Sequence, residues 1–326
     1  MNVLLYPFWN AEERRPRAFW RVVLFVLVLF LLTTLFNLLV DRRLPLPGNV
    51  LSAWEVLMAT FAALALAARL WDRRPFGDYG FHLGKVWGMD FLFGLILGGA
   101  LMTGIFLVEW ALGWARIVAV YHVVLPHVSF WQGWMLAFLL FVAVGFEEEM
   151  LTRGYLLLNL AEGFRCCGLG PRGGAILAWL VTSSVFGLLH LGNPHMTPMS
   201  TANLILAGLF LGLGYLLTGD LALPIGIHIS WNFFQGNVFG FPVSGLSLHY
   251  ATLFATQYEG PTLWTGGPFG PEGGLLGNLA ILVGIVLVLL WTRRVTRGIR
   301  THDLFTLLAR PRRSPASSSR TPPVHT

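Results

Sequence analysis

The chain has 326 residues, of which 55% are hydrophobic and only 12% are charged, and its formal net charge is +6 at pH 7. Because a soluble globular domain carries about 25% charged residues, this composition excludes an ordinary soluble domain. With a mean hydropathy of +0.66, it predicts an all-α polytopic membrane protein, whose helices satisfy their own backbone hydrogen bonds in lipid.

The positive charge comes almost entirely from arginine, since Lys85 is the only lysine. We interpret the arginine clusters beside apolar spans as determinants of orientation and as contacts to anionic lipid, and we predict no nucleic-acid partner. Cys166 and Cys167 are adjacent, and no CxxC spacing exists. We interpret both as reduced and incidental, with palmitoylation near a membrane end as the alternative.

Eight apolar stretches are long enough to be predicted as transmembrane helices. In chain order they cover about residues 22–40, 51–71, 86–112, 130–160, 175–191, 201–217, 221–239 and 273–292. The first three form an accessory unit, residues 18–129, and the next four form a unit over residues 130–239. Residues 113–129 are predicted to be a loop within the first unit.

The remaining segments are predicted from their composition. Residues 1–17 form an N-terminal segment, and residues 240–272 form a Gly/Pro/aromatic loop that has no lysine or arginine. Residues 293–326 form a basic tail that is expected to be partly disordered.

The distribution of basic residues predicts the orientation. Nearly all lysines and arginines fall in the N-terminal segment, residues 72–85, residues 161–174 and the C-terminal tail. By the positive-inside rule, both termini are cytoplasmic and the 240–272 loop is extracytoplasmic. The use of arginine in place of lysine is typical of a GC-rich genome, and we predict a prokaryotic plasma membrane.

A run of three carboxylates, Glu147, Glu148 and Glu149, lies where the fourth apolar span is still continuing. A charge at bilayer depth is costly, so such residues indicate a functional site when they face a protein interior or a wet cavity. Arg153 lies four residues after Glu149, so the two share a helix face and are expected to pair. Glu148 is rotated by about 100° from Glu149 and points elsewhere. An ion-pair patch at the membrane surface is the alternative interpretation.

Two later spans carry further polar residues. His190 ends the fifth span, four residues after Phe186, and His228 and Asn232 are four residues apart in the seventh. The spacing of four places each pair on one helix face. In isolation, His190 is equally interpreted as structural or interfacial. His228 and Asn232 are also explained by hydrogen bonds that join neighbouring helices.

Taken together, these residue types are the ones that hydrolysis needs. A carboxylate serves as a base for water, imidazoles carry protons or bind a metal, and an amide donates to an oxyanion. GxSxG and HExxH are absent, and Ser183 and Ser184 are interpreted as small residues that pack between helices. Asp90 and Asp220 lie near span ends, which disfavours a paired-aspartate membrane protease.

Three sequence elements resemble the signature motifs of the CAAX prenyl endopeptidase and bacteriocin-processing (CPBP, Abi) family. They are Glu148-Glu149-xxx-Arg153, Phe186-xxx-His190 and His228-xxx-Asn232. That family consists of intramembrane proteases with an all-helical core. The resemblance covers residues 130–239, and it rests on the order, helix placement and spacing of all three motifs.

The resemblance implies roles for these positions. Glu148 is expected to act with His190 on water, and His228 and Asn232 are expected to bind the oxyanion or, alternatively, a metal. Glu149, Arg153 and Phe186 match supporting positions. Whether zinc is bound by Glu148, His190 and His228 stays open, because a glutamate–histidine pair also activates water without metal. The expected partner is a peptide or protein, prenylated or not, in the lipid bilayer.

One geometric difficulty accompanies this prediction. Glu148 lies past the middle of the fourth span, whereas His190 ends the fifth span near the opposite face. The two meet only if the fourth span is long and tilted or if the fifth starts deeper than predicted. The sequence leaves the oligomeric state and the role of Glu147 open.

Two other classes of function are compatible with the sequence. A non-catalytic scaffold or immunity-type protein would keep the three motifs for structure or binding. A transporter would use buried Glu and His for a proton or ion site, but the paired broken helices in two repeated halves that typify transporters are not evident.

Overall fold

A computed structural model describes residues 7–11, 13–40, 46–165, 169–248 and 250–295. The interpretations of Cys166 and Cys167, and that of the tail beyond residue 295, lie outside the described residues.

The described chain is mostly helical. The α-helices are α1 Ala18–Leu39, α2 Gly48–Leu70, α3 Lys85–Ala111, α4 Phe130–Glu149, α5 Leu158–Phe164, α6 Gly170–Leu189, α7 Pro198–Thr218, α8 Ala222–Phe233, α9 Thr262–Thr265 and α10 Leu275–Val295. Two π-helical segments continue these helices: Met150–Leu157 joins α4 to α5, and Phe234–Val238 extends α8. Short 3₁₀ turns occur at Phe76–Tyr79, Gly267–Phe269 and Pro271–Gly273.

Six of these helices, α1, α2, α3, α6, α7 and α10, are long and apolar enough to cross a membrane. The protein is therefore an integral membrane protein, but the predicted count of eight spans is not confirmed. The other two predicted spans correspond to α4 with its continuation and to α8. The α-helical part of α8 has only 12 residues, and all of them are buried.

α8 lies at the centre of the bundle and contacts α3, α4 and α7. Its approach to α3 depends on glycine. A Cβ atom at Gly94 would lie 2.5 Å from the carbonyl oxygen of Leu223, and one at Gly226 would lie 2.4 Å from that of Phe91. The two backbones touch because no side chains intervene, as is common between membrane helices. This contact fixes the position of the polar face of α8.

Two segments predicted as loops contain strands. β3, Ala115–Val123, pairs antiparallel with β4, Ala251–Tyr258, so that Ala115 lies opposite Tyr258. β-branched and aromatic residues make up five of the nine residues of β3 and four of the eight of β4, which favours a pleated conformation. A shorter pair joins β1, Trp9–Asn10, to β2, Arg15–Pro16. The strictly all-α prediction is therefore wrong for these segments and holds only for the bundle.

Candidate active site

The three glutamates that end α4 lie in different environments. Glu149 is fully buried, whereas Glu147 and Glu148 are half-buried. The helix continues after them in π-helical form from Met150, and π-helical turns occur frequently at functional sites. The hydroxyl of Thr152 donates to the backbone carbonyl of Glu148, and this hydrogen bond within the helix stabilises the wider π-helical turn.

The expected pair of Glu149 and Arg153 is present. Arg153 Nη1 lies 2.8 Å from Glu149 Oε1 and 2.8 Å from Thr152 Oγ1, and Arg153 Nη2 donates to the carbonyl oxygen of Gly208 at 3.0 Å. Arg153 is 1% exposed and Glu149 is 0% exposed. A buried charge is tolerated when it is paired and hydrogen-bonded, so this pair anchors the end of α4 to α7.

Phe186 on α6 links the polar residues to one another. Its ring centroid lies 4.6 Å from the guanidinium carbon of Arg153, within cation–π range. The same centroid lies 5.1 Å from the ring of His190 and 6.1 Å from the ring of His228. One aromatic side chain therefore separates the two imidazoles and covers the guanidinium behind them.

His228 on α8 faces both glutamates. Its Nδ1 lies 2.9 Å from Glu149 Oε1, and its Nε2 lies 3.9 Å from Glu148 Oε2. Glu149 Oε1 thus contacts both His228 and Arg153. Because a carboxylate oxygen accepts, Nδ1 is the donor, and this bond fixes the orientation of the imidazole.

The sequence predicted that Glu148 and His190 would lie near opposite faces of the membrane, but the structure brings them to one cavity. The helix that begins as α4 continues through α5 to Phe164, and α6 begins at Gly170 rather than near residue 175. The fourth helix is therefore longer, and the fifth starts earlier, than predicted. His190 follows α6 directly, and it lines the same cavity as Glu148.

His190 is half-buried. Its Nδ1 lies 2.8 Å from the carbonyl oxygen of Phe186, one turn earlier. Because a carbonyl oxygen accepts, Nδ1 carries the proton in this bond, and Nε2 is the nitrogen left for the cavity. Asn232, one turn after His228, is 8% exposed and also lines the cavity. Its amide has no hydrogen bond to the described residues.

The cavity has a volume of about 370 Å³, which is typical of a small ligand site. It contains the predicted residues Glu148, Phe186, His190, His228 and Asn232, together with Glu147. Glu149 and Arg153 lie behind this wall rather than on it. Most of the remaining wall is apolar. Glu148 Oε2 is buried and has no hydrogen-bonding partner in the described chain, so it is free to bind a water or a substrate group.

The sequence did not identify every polar residue of the wall. Asn193, Ser244 and Glu272 also line the cavity. Glu272 accepts a hydrogen bond from the backbone N–H of Ser244, and Asn193 Nδ2 donates to the carbonyl oxygen of Ser244 at 2.9 Å. Burial raises the pKa of Glu272, although hydrogen bonds from Ser244 and the nearby His190 oppose that rise. The one sequence feature that could have indicated Glu272 was its acidic side chain in a Gly/Pro-rich segment that has no lysine or arginine.

The described residues contain no group of three or more His, Cys, Asp or Glu side chains that could hold a metal ion. In this conformation, therefore, the alternative zinc set of Glu148, His190 and His228 shares a cavity without forming a ligand cluster. Zinc stays a prediction, and the chemistry below uses only side chains and water.

Residues 129–234 match a family model described as type II CAAX prenyl endopeptidase Rce1-like. The match extends from the residue before α4 to the end of α8, and it ends well before Glu272. No curated protein and no solved structure matches the chain. Residues 129–234 are therefore similar to type II CAAX prenyl endopeptidases, and the match supports the family resemblance predicted from the three motifs.

Proposed function

We propose that this protein is an intramembrane endopeptidase of the CAAX-protease type, which hydrolyses a peptide bond by attack of water. The observation that carries the proposal is the cavity itself. Glu148, with an unsatisfied carboxylate oxygen, shares an apolar chamber with two imidazoles and an amide that has no partner in the described chain. Catalytic groups are expected in clefts of this kind.

Glu148 is the base for water in this mechanism. Its free Oε2 accepts one proton of a bound water, and Nε2 of His190 is the second acceptor that the cavity offers. The Glu148 carboxylate accepts because it is ionised, and Nε2 of His190 accepts because the ring proton is on Nδ1, which donates to the carbonyl oxygen of Phe186. Deprotonation of the water as it attacks the carbonyl carbon is general base catalysis. The proton is then available for the leaving amine.

Asn232 and His228 stabilise the oxyanion that forms on the scissile carbonyl. The Asn232 amide supplies N–H donors. Nε2 of His228, which lies on the side of Glu148, is a second donor when the ring carries a proton on both nitrogens, because Nδ1 already donates to Glu149. Preorganised donors of this type are worth most in a site shielded from water. Glu149 supports His228 from behind, and Arg153 pairs with Glu149, so these two residues position the donors without lining the cavity. Phe186, which does line the cavity, packs against Arg153 and His228.

The substrate is proposed to be a peptide or protein segment that enters from the cytoplasmic leaflet or laterally from lipid, with both termini of the enzyme in the cytoplasm of a prokaryote. A prenylated substrate is one form of this proposal. Its support is the family match and the apolar wall of the cavity, and a lipid-modified segment would bury its chain against such a wall.

The test is cleavage of a quenched fluorescent farnesylated CAAX peptide by protein purified in detergent. Glu148→Gln should lower kcat/KM by about 10²–10⁴-fold, the range typical of a general base. The control is Glu259→Gln, which removes an exposed carboxylate outside the cavity and should retain activity. Full activity in a folded Glu148→Gln protein would contradict the mechanism.

A zinc chelator distinguishes the two versions of the chemistry. Unchanged turnover after chelation and gel filtration supports activation of water by Glu148 and His190 alone. Loss of turnover that zinc restores, with an unchanged unfolding temperature, supports the metal version. The unfolding temperature is measured because chelators also inactivate proteins by unfolding them.

A further inference from the structure

A second cavity lies away from the proposed active site, at the point where the chain enters α1. Its volume is about 440 Å³, which is within the range of small-ligand sites. Its wall comes from the residues before α1, the first turn of α1, and α5 with the following residue, Arg165. We name it the α1 cleft. It shares no lining residue with the cavity of the proposed active site, so the catalytic chemistry does not account for it.

The charged side chains of the α1 cleft are predominantly basic. Three arginines line it, whereas only two carboxylates do: they are Arg17, Arg21, Arg165, Glu13 and Glu162. Arg17 and Arg165 are half-buried, so they lie at the wall without being enclosed by it. A concave surface with an excess of one charge focuses its field on a ligand of the opposite sign. The α1 cleft therefore favours an anion.

The two carboxylates do not cancel this excess, because arginines behind the wall pair with them. Glu162 Oε1 lies 2.7 Å from Arg74 Nη2, and its Oε2 lies 3.1 Å from Arg15 Nη2. Glu13 Oε2 lies 2.7 Å from Arg15 Nη2. Asp72 belongs to the same group, so five arginines meet three carboxylates and the net charge of the group is positive.

Arg21 supplies a buried donor that the described residues do not use. This residue is 2% exposed. Its Nη1 lies 3.3 Å from Asp72 Oδ1, and its Nη2 lies 2.9 Å from Glu162 Oε2. Its Nε is also buried, but it donates to no acceptor in the described chain. An unpaired buried donor is costly, and in the wall of a cavity it is available to a ligand that accepts hydrogen bonds.

One side of the α1 cleft is apolar and continues onto the surface of α1. Phe19, Val22, Leu160 and Phe164 line this side. Phe19 is 65% exposed, and only 6% of the most apolar stretch of α1 is buried inside the protein. Because α1 is long and apolar enough to cross a membrane, this exposed face lies against acyl chains.

The α1 cleft also lies at the level where a membrane span begins. α1 starts at Ala18, and its N-cap residue, Arg17, makes no side-chain cap, so the positive end of the helix dipole is at this level. Nearby, Trp20 Nε1 donates to the carbonyl oxygen of Pro7 at 3.2 Å, and the Trp20 ring packs on Phe8. Tryptophan is enriched at the membrane–water interface, which is also the level of lipid phosphate groups.

We propose that the α1 cleft binds the phosphate group of an anionic phospholipid, whose acyl chains lie along α1. The guanidiniums of Arg17 and Arg165 pair with the phosphate, and Nε of Arg21 donates to one of its oxygens. The apolar side of the cleft favours a lipid over free phosphate, since it buries the first part of the acyl chains. The bound lipid joins the first turn of α1 to α5. This inference is independent of the proposed endopeptidase function.

The experiment measures thermal unfolding of the full chain in a nonionic detergent. Phosphatidylglycerol, or phosphatidylcholine with the same acyl chains, is added at equal mole fraction. A ligand that binds only the folded protein raises the unfolding temperature. Phosphatidylglycerol should raise it at least about 2 °C more than phosphatidylcholine does. Glycerol 3-phosphate at the same concentration should give less than about half of this rise, because it carries the phosphate without acyl chains.

The variant that tests the site is Arg17→Gln combined with Arg165→Gln. The difference between the two lipids should fall by at least about half, because two charge-assisted contacts to the phosphate are removed. The matched control is Arg293→Gln combined with Arg294→Gln, which removes two exposed arginines from the last turn of α10. This control should keep the wild-type difference.

Equal stabilisation of the wild type by the two lipids would overturn the inference. A difference that the Arg17 and Arg165 variant retains, or that the control loses to the same extent, would overturn it as well. An equal rise with glycerol 3-phosphate would overturn the assignment to a lipid. If the double variant does not fold, Arg17→Gln alone and the wild-type comparison of the two lipids decide.

Discussion

Two clusters of buried charge in the described part of the chain differ in how completely their charges are paired. The first, which we name the N-terminal cluster, consists of Arg15, Arg21, Asp72, Arg74 and Glu162. Glu162 Oε1 lies 2.7 Å from Arg74 Nη2, and Oε2 lies 2.9 Å from Arg21 Nη2 and 3.1 Å from Arg15 Nη2. Asp72 Oδ1 lies 3.3 Å from Arg21 Nη1.

The second, which we name the site cluster, consists of Glu148, Glu149, Arg153 and His228. Here one guanidinium and one imidazole meet two carboxylates. Oε2 of Glu148 and Oε2 of Glu149 are both buried and accept no hydrogen bond from the described residues. The site cluster therefore keeps acceptor capacity that the N-terminal cluster has used.

The difference indicates what each cluster does. A buried ion network in which every carboxylate has a partner holds segments together, and breaking it leaves an uncompensated charge. A buried carboxylate without partners costs stability and persists where chemistry requires it. The N-terminal cluster thus joins the chain before α1 and the first turn of α1 to the residues after α2 and to α5. In the proposed function, the site cluster leaves Glu148 available for a ligand.

The substitution Glu162→Gln is expected to have the largest effect and tests whether the N-terminal cluster is structural. Removing the anion from three buried guanidiniums should lower the free energy of unfolding by about 3–5 kcal/mol, the range for a broken buried ion pair. Thermal unfolding in detergent measures this loss. Glu148→Gln, analysed beside it, should unfold near the wild-type temperature, because the carboxylate oxygen that it changes has no hydrogen-bonding partner.

The rate of peptide cleavage per folded molecule should rank the two variants in the opposite order to their loss of stability. Glu162→Gln should retain the wild-type rate, and Glu148→Gln should lose it. If Glu148→Gln destabilises the protein as much as Glu162→Gln does, then the site cluster is structural and the distinction between the two clusters is wrong.

The sequence predicted the site cluster better than the N-terminal cluster. A spacing of four residues was enough to place Arg153 beside Glu149 and Asn232 near His228, because helical geometry is local. The N-terminal cluster joins residues 15, 72 and 162, and no local pattern reports contacts at such separations. Its arginines were therefore assigned to orientation and lipid contacts, whereas the structure buries Arg15, Arg21 and Arg74 in ion pairs.

The same limit applies to the fold. Apolar runs located the long helices, because burial of a continuous apolar surface is what a membrane helix needs. The pairing of β3 with β4, by contrast, joins segments that are far apart in sequence and separated by five helices. Glu272 was missed for the same reason, since only the folded segment after α8 brings it to the cavity.

Lower pH should reduce the loss of unfolding free energy that Glu162→Gln causes. Burial alone would raise the pKa of Glu162, but Arg74, Arg21 and Arg15 outweigh it and hold this pKa well below its ordinary value. The unfolded chain therefore binds this proton first as pH falls, so the stability that Glu162 contributes is fully present above pH about 5 and declines below it.

Thermal unfolding of wild type and Glu162→Gln should be compared between pH 7 and pH 4 in one detergent. The gap between the two unfolding temperatures should be constant near neutrality and should narrow below pH 5. A gap that stays constant or widens toward pH 4 would mean that the glutamate is not ionised against the three arginines.

The smallest loss of stability is expected from a substitution at the edge of the N-terminal cluster. The hydroxyl of Tyr79, a fully buried residue, donates to Asp72 Oδ2 at 2.8 Å. Tyr79→Phe removes this one bond and keeps the ring, and Asp72 retains Arg21 and the amide of Asn159, 3.2 Å away. The loss should be about 1–2 kcal/mol, the usual range for a single hydrogen bond to a charged group. Chemical or thermal unfolding in detergent measures it. A loss as large as that of Glu162→Gln would show that the hydroxyl, and not the guanidiniums, holds Asp72 in place.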